Sequence, residues 1–324
     1  MVKIGLIGLG YLGKIHLKLL SEIDSFELVG IYDIDKSVCV ALAEQYKVKA
    51  FESAGELVNA CDAIDIVTPS NTHYGIASEC IKKNKHIFIE KPATSTVEEA
   101  KSISLLSNKF GVTVQVGHVE RFNPAFVAAS PLINNPQYID FKRLAVYNPR
   151  GTDVSVTLDL MIHDLDLLIT MVKSKIAKIS ANGLKVISNT ADIANARIEF
   201  ENGCVANITA DRTASGNTRK LTVYQNNTLI KIDLLNKITT VNKFKNASGE
   251  TKNMVITPGK GIPDKEVIIE YPIILPTNAI KEELIAFHNS INTATKPVVT
   301  IEDAIDVLDL AFSIDEKILN VDLN

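Results

Sequence analysis

Four cysteines in 324 residues, Cys39, Cys61, Cys80 and Cys204, form no C-x-x-C pair and no cluster with histidine, so neither a zinc site nor a redox motif is indicated, and the thiols read as reduced. Excess positive charge is also missing. The net charge is −4, and lysine and arginine are scattered along the chain rather than banked in one segment, which argues against nucleic acid as a partner. An anionic small molecule stays open, because a few local basic groups can hold one whatever the net charge. No apolar run approaches membrane-spanning length, so no membrane partner is expected. The apolar start at Met1 to Leu12 carries glycines and lacks a small-residue cleavage site, so it does not read as a signal peptide; the expected location is cytoplasmic. Internal repeats and low-complexity linkers are absent too.

What is present is an ordinary globular composition, 46% hydrophobic and 22% charged, at a length that suits two domains or one large one. Up to about residue 118, short β-branched runs alternate with segments of helical periodicity, which is how βαβ units around a buried parallel sheet read. Strands are expected at Lys3 to Leu6, Glu27 to Tyr32, Ala63 to Val67, His86 to Ile89 and Thr113 to Val116. Helices are expected near 12–23, 36–46, 73–83 and 96–109. Beyond residue 120 one long helix near 156–172 precedes strands at Ile193 to Glu201, Cys204 to Asp211, Lys220 to Gln225 and Leu229 to Asp233, then helices near 277–292 and 301–319. The expected fold class is therefore α/β. A doubly wound Rossmann domain over 1–119 precedes an α+β domain over 120–324 with a largely antiparallel open sheet, and the last helix is a candidate to return to the first domain.

Gly8-Leu9-Gly10-Tyr11-Leu12-Gly13 follows the first strand and opens the first helix, the context that turns a G-x-G-x-x-G pattern into a dinucleotide signal. Gly8 would allow the tight turn, Gly10 close approach of a pyrophosphate, and Gly13 close packing of helix on strand, with Tyr11 and Leu12 at the helix start. Asp33 ends the second strand, twenty residues after Gly13, where a carboxylate accepts hydrogen bonds from the adenosine ribose and repels a 2′-phosphate. This favours NAD over NADP as cofactor. A plain turn at the glycines and a plain turn residue at 33 are the bland alternatives.

Further candidates sit where strands end. Thr68, Pro69, Ser70 and His73 follow the third strand of the list and can face a cofactor, or simply cap a helix. Glu90, Lys91 and Pro92 follow the fourth, at the carboxyl edge of a parallel sheet beside the cofactor crevice, where Glu90 and Lys91 are candidates to contact the cofactor and Lys91 could donate to a substrate oxygen or be a solvated surface lysine. Asp159, His163 and Asp166, spaced i, i+4 and i+7, would share one helix face and line a pocket, unless they form a satisfied buried set; a divalent metal there is the weaker reading, and no metal is expected.

Taken together, the glycine turn, Glu90-Lys91-Pro92 and Asp159-x-x-x-His163 resemble the Gfo/Idh/MocA family of oxidoreductases over most of the chain. That resemblance implies that Lys91 and His163 handle the proton near the reactive carbon, that Asp159 supports them, and that the second domain's sheet makes a homodimer or homotetramer. A narrower resemblance rests on Gly117-His118-Val119-Glu120-Arg121-Phe122-Asn123-Pro124-Ala125 and on Arg150-Gly151-Thr152-Asp153. It is to family members that oxidise UDP-N-acetyl-hexosamines at C3, and it implies a UDP-sugar substrate met by Arg121, Asn123 and Arg150, with His118 near the cofactor. Either arginine could instead make a structural ion pair. A dehydrogenase of a free sugar or cyclitol, and a non-catalytic NAD-binding regulator, are the competing readings.

Overall fold

Strands buried on both faces must be apolar along their whole length, and the first half of the chain supplies such runs between amphipathic helices. In the computed structural model, which describes residues 1–149, 154–248 and 251–321, this half alternates β1 (Val2–Ile7), α1 (Tyr11–Leu20), β2 (Phe26–Tyr32), α2 (Lys36–Tyr46), β3 (Lys49–Ala50), α3 (Ala54–Ala60), β4 (Ala63–Ile66), α4 (Ser70–Lys82), β5 (His86–Glu90), α5 (Val97–Phe110) and β6 (Val114–Gly117). The strands form one parallel sheet in the order β3-β2-β1-β4-β5-β6. The order reverses between β1 and β4, so the loops after β1, β2, β4 and β5 gather at the carboxyl edge, where doubly wound sheets bind ligands.

Side-chain capping sets several of these boundaries. Asp35 accepts from the main-chain N–H groups of Ser37 and Val38 at the start of α2, Ser53 caps α3, and Thr96 caps α5. Gly111 closes α5 in the left-handed conformation, at φ 66°.

The later chain runs α6 (Pro124–Ala129), β7 (Tyr138–Leu144), a π-helical turn (Thr157–Met161) leading into α7 (Ile162–Met171), then β8 (Ile176–Leu184), β9 (Ile193–Phe200), β10 (Val205–Asp211), β11 (Thr218–Gln225), β12 (Thr228–Asp233), β13 (Ile238–Asn246), β14 (Met254–Ile256) and β15 (Lys265–Glu270). These make a nine-stranded sheet, β14-β15-β13-β12-β11-β7-β10-β9-β8. Every neighbouring pair is antiparallel except β7 with β10. Burial alternates along β9 and β10, as it must where one face packs and the other does not. The chain closes with α8 (Ala279–Thr293) and α9 (Ile301–Val321).

Two compact units result: Met1–Val119 with Asn278–Asp309, and Glu120–Thr277 with Leu310–Asn324. α8 therefore belongs with the parallel sheet, although the sequence places it in the second domain. Its apolar stripe explains the difference, because Leu284 and Phe287 are fully buried in one core with Ile4, Leu17, Phe26 and Phe88. All four cysteines are free and buried, and burial pushes the thiols of Cys61 and Cys80 up to about 12, so they remain protonated and unreactive. Among the described residues no helix is long and apolar enough to cross a membrane.

Candidate active site

The glycine turn has the shape a dinucleotide requires. Gly8 adopts φ +100°, and a Cβ there would stand 2.5 Å from the carbonyl oxygen of Val67. A Cβ on Gly13 would fall 2.0 Å from the carbonyl oxygen of Gly8, so helix and turn can meet this closely only without a side chain. Gly10 differs, since a Cβ there would meet nothing within 4 Å: the space over the turn is open. Gly10 is also the N-cap of α1 and offers no side chain to its first N–H groups, which stay available to phosphate oxygens. Tyr11 is exposed and Leu12 partly buried beside it.

Asp33 does more than the spacing indicates. One carboxylate oxygen accepts the main-chain N–H of Leu9 at 2.6 Å, and the other accepts that of Asp35 at 2.9 Å. It thus clamps the glycine turn to the end of β2, while each oxygen keeps a second lone pair for a ribose hydroxyl. These residues fit an NAD molecule with its pyrophosphate on the α1 amino terminus and its adenosine ribose at Asp33.

After β4, Pro69 stands at the N-cap of α4 without a side-chain cap, Ser70 opens the helix, and the Thr72 hydroxyl lies 2.7 Å from Thr68 Oγ1. His73, expected at the cofactor, is instead buried, with Nδ1 3.0 Å from the carbonyl oxygen of Pro92 and Nε2 2.8 Å from that of Thr68. Burial outweighs the pull of those carbonyls and lowers its pKa. A neutral ring has one N–H, so it serves one carbonyl at a time, and its role is to join the loops after β4 and β5. The correction has a physical reason: His73 starts the second turn of α4 on the same inward face as Ala77 and Cys80.

Glu90 also turns inward. Its Oε2 accepts the main-chain N–H of Lys91 at 3.1 Å, and its Oε1 lies 3.2 Å from His16 Nε2. Gly117, its partner across β5 and β6, makes this possible, because a Cβ there would stand 2.7 Å from the Glu90 carboxylate. Glu90 therefore supports the turn from its inner side. Lys91 begins the turn at half-exposed depth, joined to Pro92 by a cis peptide, and His118 is buried just past β6.

In the second unit the π-helical turn changes the expected stripe. Asp159 lies within the π turn and His163 within α7, so the two are not spaced along one regular α-helix. Asp159 and His163 are partly exposed, whereas Asp166 is fully buried. Arg121 holds Asp166 in a fork, Nε 2.9 and 3.0 Å from its two oxygens and Nη2 2.7 Å from one of them. That bidentate pair occupies the donor fork expected for a diphosphate. Asn123, also expected at the substrate, is a helix cap: its Oδ1 accepts from Ala125 N, and its Nδ2 donates to Glu120 Oε2 and the Leu234 carbonyl oxygen. Arg150 lies outside the described residues. Asp159 lines a cavity with Tyr147, Asn148, Pro149, Arg212 and Asn217.

Several buried ionic residues carry no weight in the sequence reading. Arg143 on β7 donates to both oxygens of Asp164 on α7, at 2.7 and 2.9 Å, and to Glu120 Oε1 at 3.1 Å, which fastens helix to sheet just beside His163. His16 and Asp65 form the corresponding pair in the first unit, at 2.8 Å. The available signal is a polar residue in an otherwise apolar stripe: His16 shares the buried face of α1 with Gly13, Leu17 and Leu20, and Asp65 interrupts Ala63-Ile64-Asp65-Ile66.

Comparison with known proteins bears on the family and the fold. The model of an oxidoreductase family with an NAD-binding Rossmann fold matches residues 2–118, and that of the GFO/IDH/MocA C-terminal domain matches residues 135–230. UDP-N-acetylglucosamine 3-dehydrogenase of Acidithiobacillus ferrooxidans is 31% identical over 236 residues, 72% of this chain and 75% of that protein. Its solved structure superposes with a TM-score of 0.88 at 27% identity, covering 98% of this chain and 97% of that one. The NAD+-dependent scyllo-inositol 2-dehydrogenase of Bacillus subtilis is 29% identical over 66% of this chain and 68% of its own length.

Proposed function

The chain belongs to the Gfo/Idh/MocA family of oxidoreductases, dehydrogenases with an NAD-binding Rossmann domain, and from that premise we propose that it oxidises a UDP-N-acetyl-hexosamine at C3. The observation that carries the substrate is the likeness to the A. ferrooxidans UDP-N-acetylglucosamine 3-dehydrogenase, which extends over almost the whole of both chains in three dimensions. Preference for NAD over NADP rests on Asp33, whose carboxylate stands at the end of β2 and would repel a 2′-phosphate.

NAD+, held by the glycine turn and Asp33, would supply the hydride acceptor for the sugar carbon. The chain's own residues then have two tasks. The amino terminus of α1, Asp33, the Thr68-Pro69-Ser70 loop and His118 place the cofactor. Lys91 and His163 are the candidates to take the hydroxyl proton, with Asp159 supporting the imidazole's charged form. His73 and Glu90 fix the backbone on either side of Lys91, and Arg143 fixes α7 through Asp164. Because Arg121 is committed to Asp166, recognition of the UDP moiety falls to Arg150 and to other groups of the second unit. The exposed apolar residues Tyr224, Val255 and Ile269 on the nine-stranded sheet support self-association as a homodimer or homotetramer, which light scattering of the purified protein measures directly.

A second reading, oxidation of a free sugar or cyclitol, is favoured by the likeness to the B. subtilis scyllo-inositol 2-dehydrogenase. Assays of NADH formation with UDP-N-acetylglucosamine, free hexoses and inositols, each with NAD+ and NADP+, separate the readings. Turnover confined to free sugars or inositols overturns the UDP-sugar proposal, and NAD binding with no turnover of any of them would make the chain a regulator.

A further inference from the structure

One face of the parallel sheet carries a set of ionisable side chains that the proposed reaction does not use. Asp65 on β4, Phe88 on β5 and Gln115 on β6 stand in register on neighbouring strands, and Glu90, two residues past Phe88, points to the same side. α1 and α8 cover this face with His16 and Glu283. His16, Asp65, Gln115 and Glu283 are all 0% exposed, and Glu90 is 7% exposed.

Their contacts are incomplete in a particular way. His16 Nδ1 lies 2.8 Å from Asp65 Oδ2, while its Nε2 lies 3.2 Å from Glu90 Oε1 but out of line for a hydrogen bond. One nitrogen or oxygen from each of His16, Glu90 and Glu283 falls within 4.8 Å of the other two. Neither carboxylate oxygen of Glu283 meets a donor, and neither does Asp65 Oδ1 or Gln115 Oε1. Gln115 donates one amide N–H to the main-chain oxygen of Glu283 at 2.6 Å. The charged groups that act on Glu283 are Glu90 and Asp65, which oppose its ionisation, and His16, which favours it; no lysine or arginine is among them.

Three carboxylates and one imidazole therefore share a buried space, and among the described residues no lysine or arginine acts on Glu283 to balance them. Full ionisation would leave excess negative charge where each buried ion costs several kcal/mol or more on the order-of-magnitude scale. Protonation of a carboxylate reduces the excess and supplies an O–H donor among the unmatched oxygens.

We infer that His16, Asp65, Glu90 and Glu283 form a buried proton-holding site behind the Glu90-Lys91-Pro92 turn, with His16 as imidazolium and Glu283 as a neutral carboxylic acid. Burial and then the Glu90 charge push Glu283 well above the usual carboxylate range. For His16 burial opposes charging, yet Asp65 and Glu90 outweigh it and hold the imidazolium well past its ordinary pH of deprotonation. Both groups bind a proton more tightly folded than unfolded. Each contributes stability that is complete below its unfolded pKa and is lost as pH rises through its folded one.

The test uses the full chain and no substrate, so its outcome is separate from the identity of the sugar. Infrared difference spectra at about pH 8, well above an unperturbed glutamate, should show the carbonyl stretch of a protonated carboxylic acid, moved by deuterium exchange and abolished in Glu283→Gln. The melting temperature of the wild type should fall from about pH 6 to about pH 10, and Glu283→Gln, which mimics the neutral acid, should flatten that fall. Should the variant not fold, the wild-type band and its deuterium shift still decide. No acid band in the wild type overturns the inference. So does stoichiometric zinc or cobalt kept through dialysis, with a melting temperature lowered by chelator, because a cation on His16, Glu90 and Glu283 would replace the protons.

Discussion

Asp33 serves two masters, the Leu9 N–H and, in the proposed complex, the ribose, and replacing it tests both. Asp33→Ala should weaken NAD+ affinity about tenfold to a hundredfold, the worth of one to two charge-assisted hydrogen bonds, and relax discrimination against NADP+. Calorimetric titration with each cofactor measures this, and unaltered NAD+ affinity would count against the assignment. Lys91 is tested separately. Its replacement by Met keeps the length of the side chain and removes the ammonium, so turnover should drop by about a hundredfold to ten thousandfold, the range for general acid–base groups, while NAD+ still binds. Steady-state rates near wild type would show that Lys91 does not handle the proton.

Among the elements, α8 has the clearest energetic consequence. Phe287 is fully buried with its ring 5.9 Å from Phe88 and 6.4 Å from Phe26. Phe287→Ala should cost about 3–5 kcal/mol, as large aromatic deletions do, read as a shift of the urea midpoint. The same helix is where sequence reading misplaced an element: amphipathic spacing reveals that a helix buries a stripe, not which sheet receives it. The parallel strands were legible because burial on both faces makes them mostly apolar, as in Ala63–Ile66, broken by Asp65, and in Ile87-Phe88-Ile89 within His86–Glu90. β7 escaped because its third inward residue is Arg143, and β8 because Ile-Ala-Lys-Ile-Ser-Ala-Asn-Gly-Leu is mostly polar or small on a partly open sheet. Helical spacing put Asp166 beside Asp159 and His163, but spacing does not show that Asp166 is buried against Arg121. Glycines and Asp33 were readable since their spacing is set by covalent geometry near one strand. His73, Glu90 and Asn123 were assigned to ligands because residue type shows hydrogen-bonding capacity but not the partner that uses it. Arg143→Met should test the anchor of α7. It leaves Asp164 and Glu120 without their buried partner, for a loss of about 3–5 kcal/mol, and thermal or chemical melts that match wild type would dismiss the anchor.

At the scale of the whole molecule, two units divide the work. One presents an open glycine turn, a clamped aspartate and a lysine at the carboxyl edge of a parallel sheet. The other presents Asp159 and His163 on a π-to-α helix fastened to a nine-stranded sheet. The proposed dehydrogenation gives each set a task, and the nature of the sugar is its most exposed claim. The direct measurement is NADH formation when purified protein is mixed with UDP-N-acetylglucosamine and NAD+, set against inositols and free hexoses under the same conditions. The account predicts NADH with the UDP-sugar, little with NADP+ in place of NAD+, and none with Lys91→Met; NADH from inositols or free hexoses alone would contradict it.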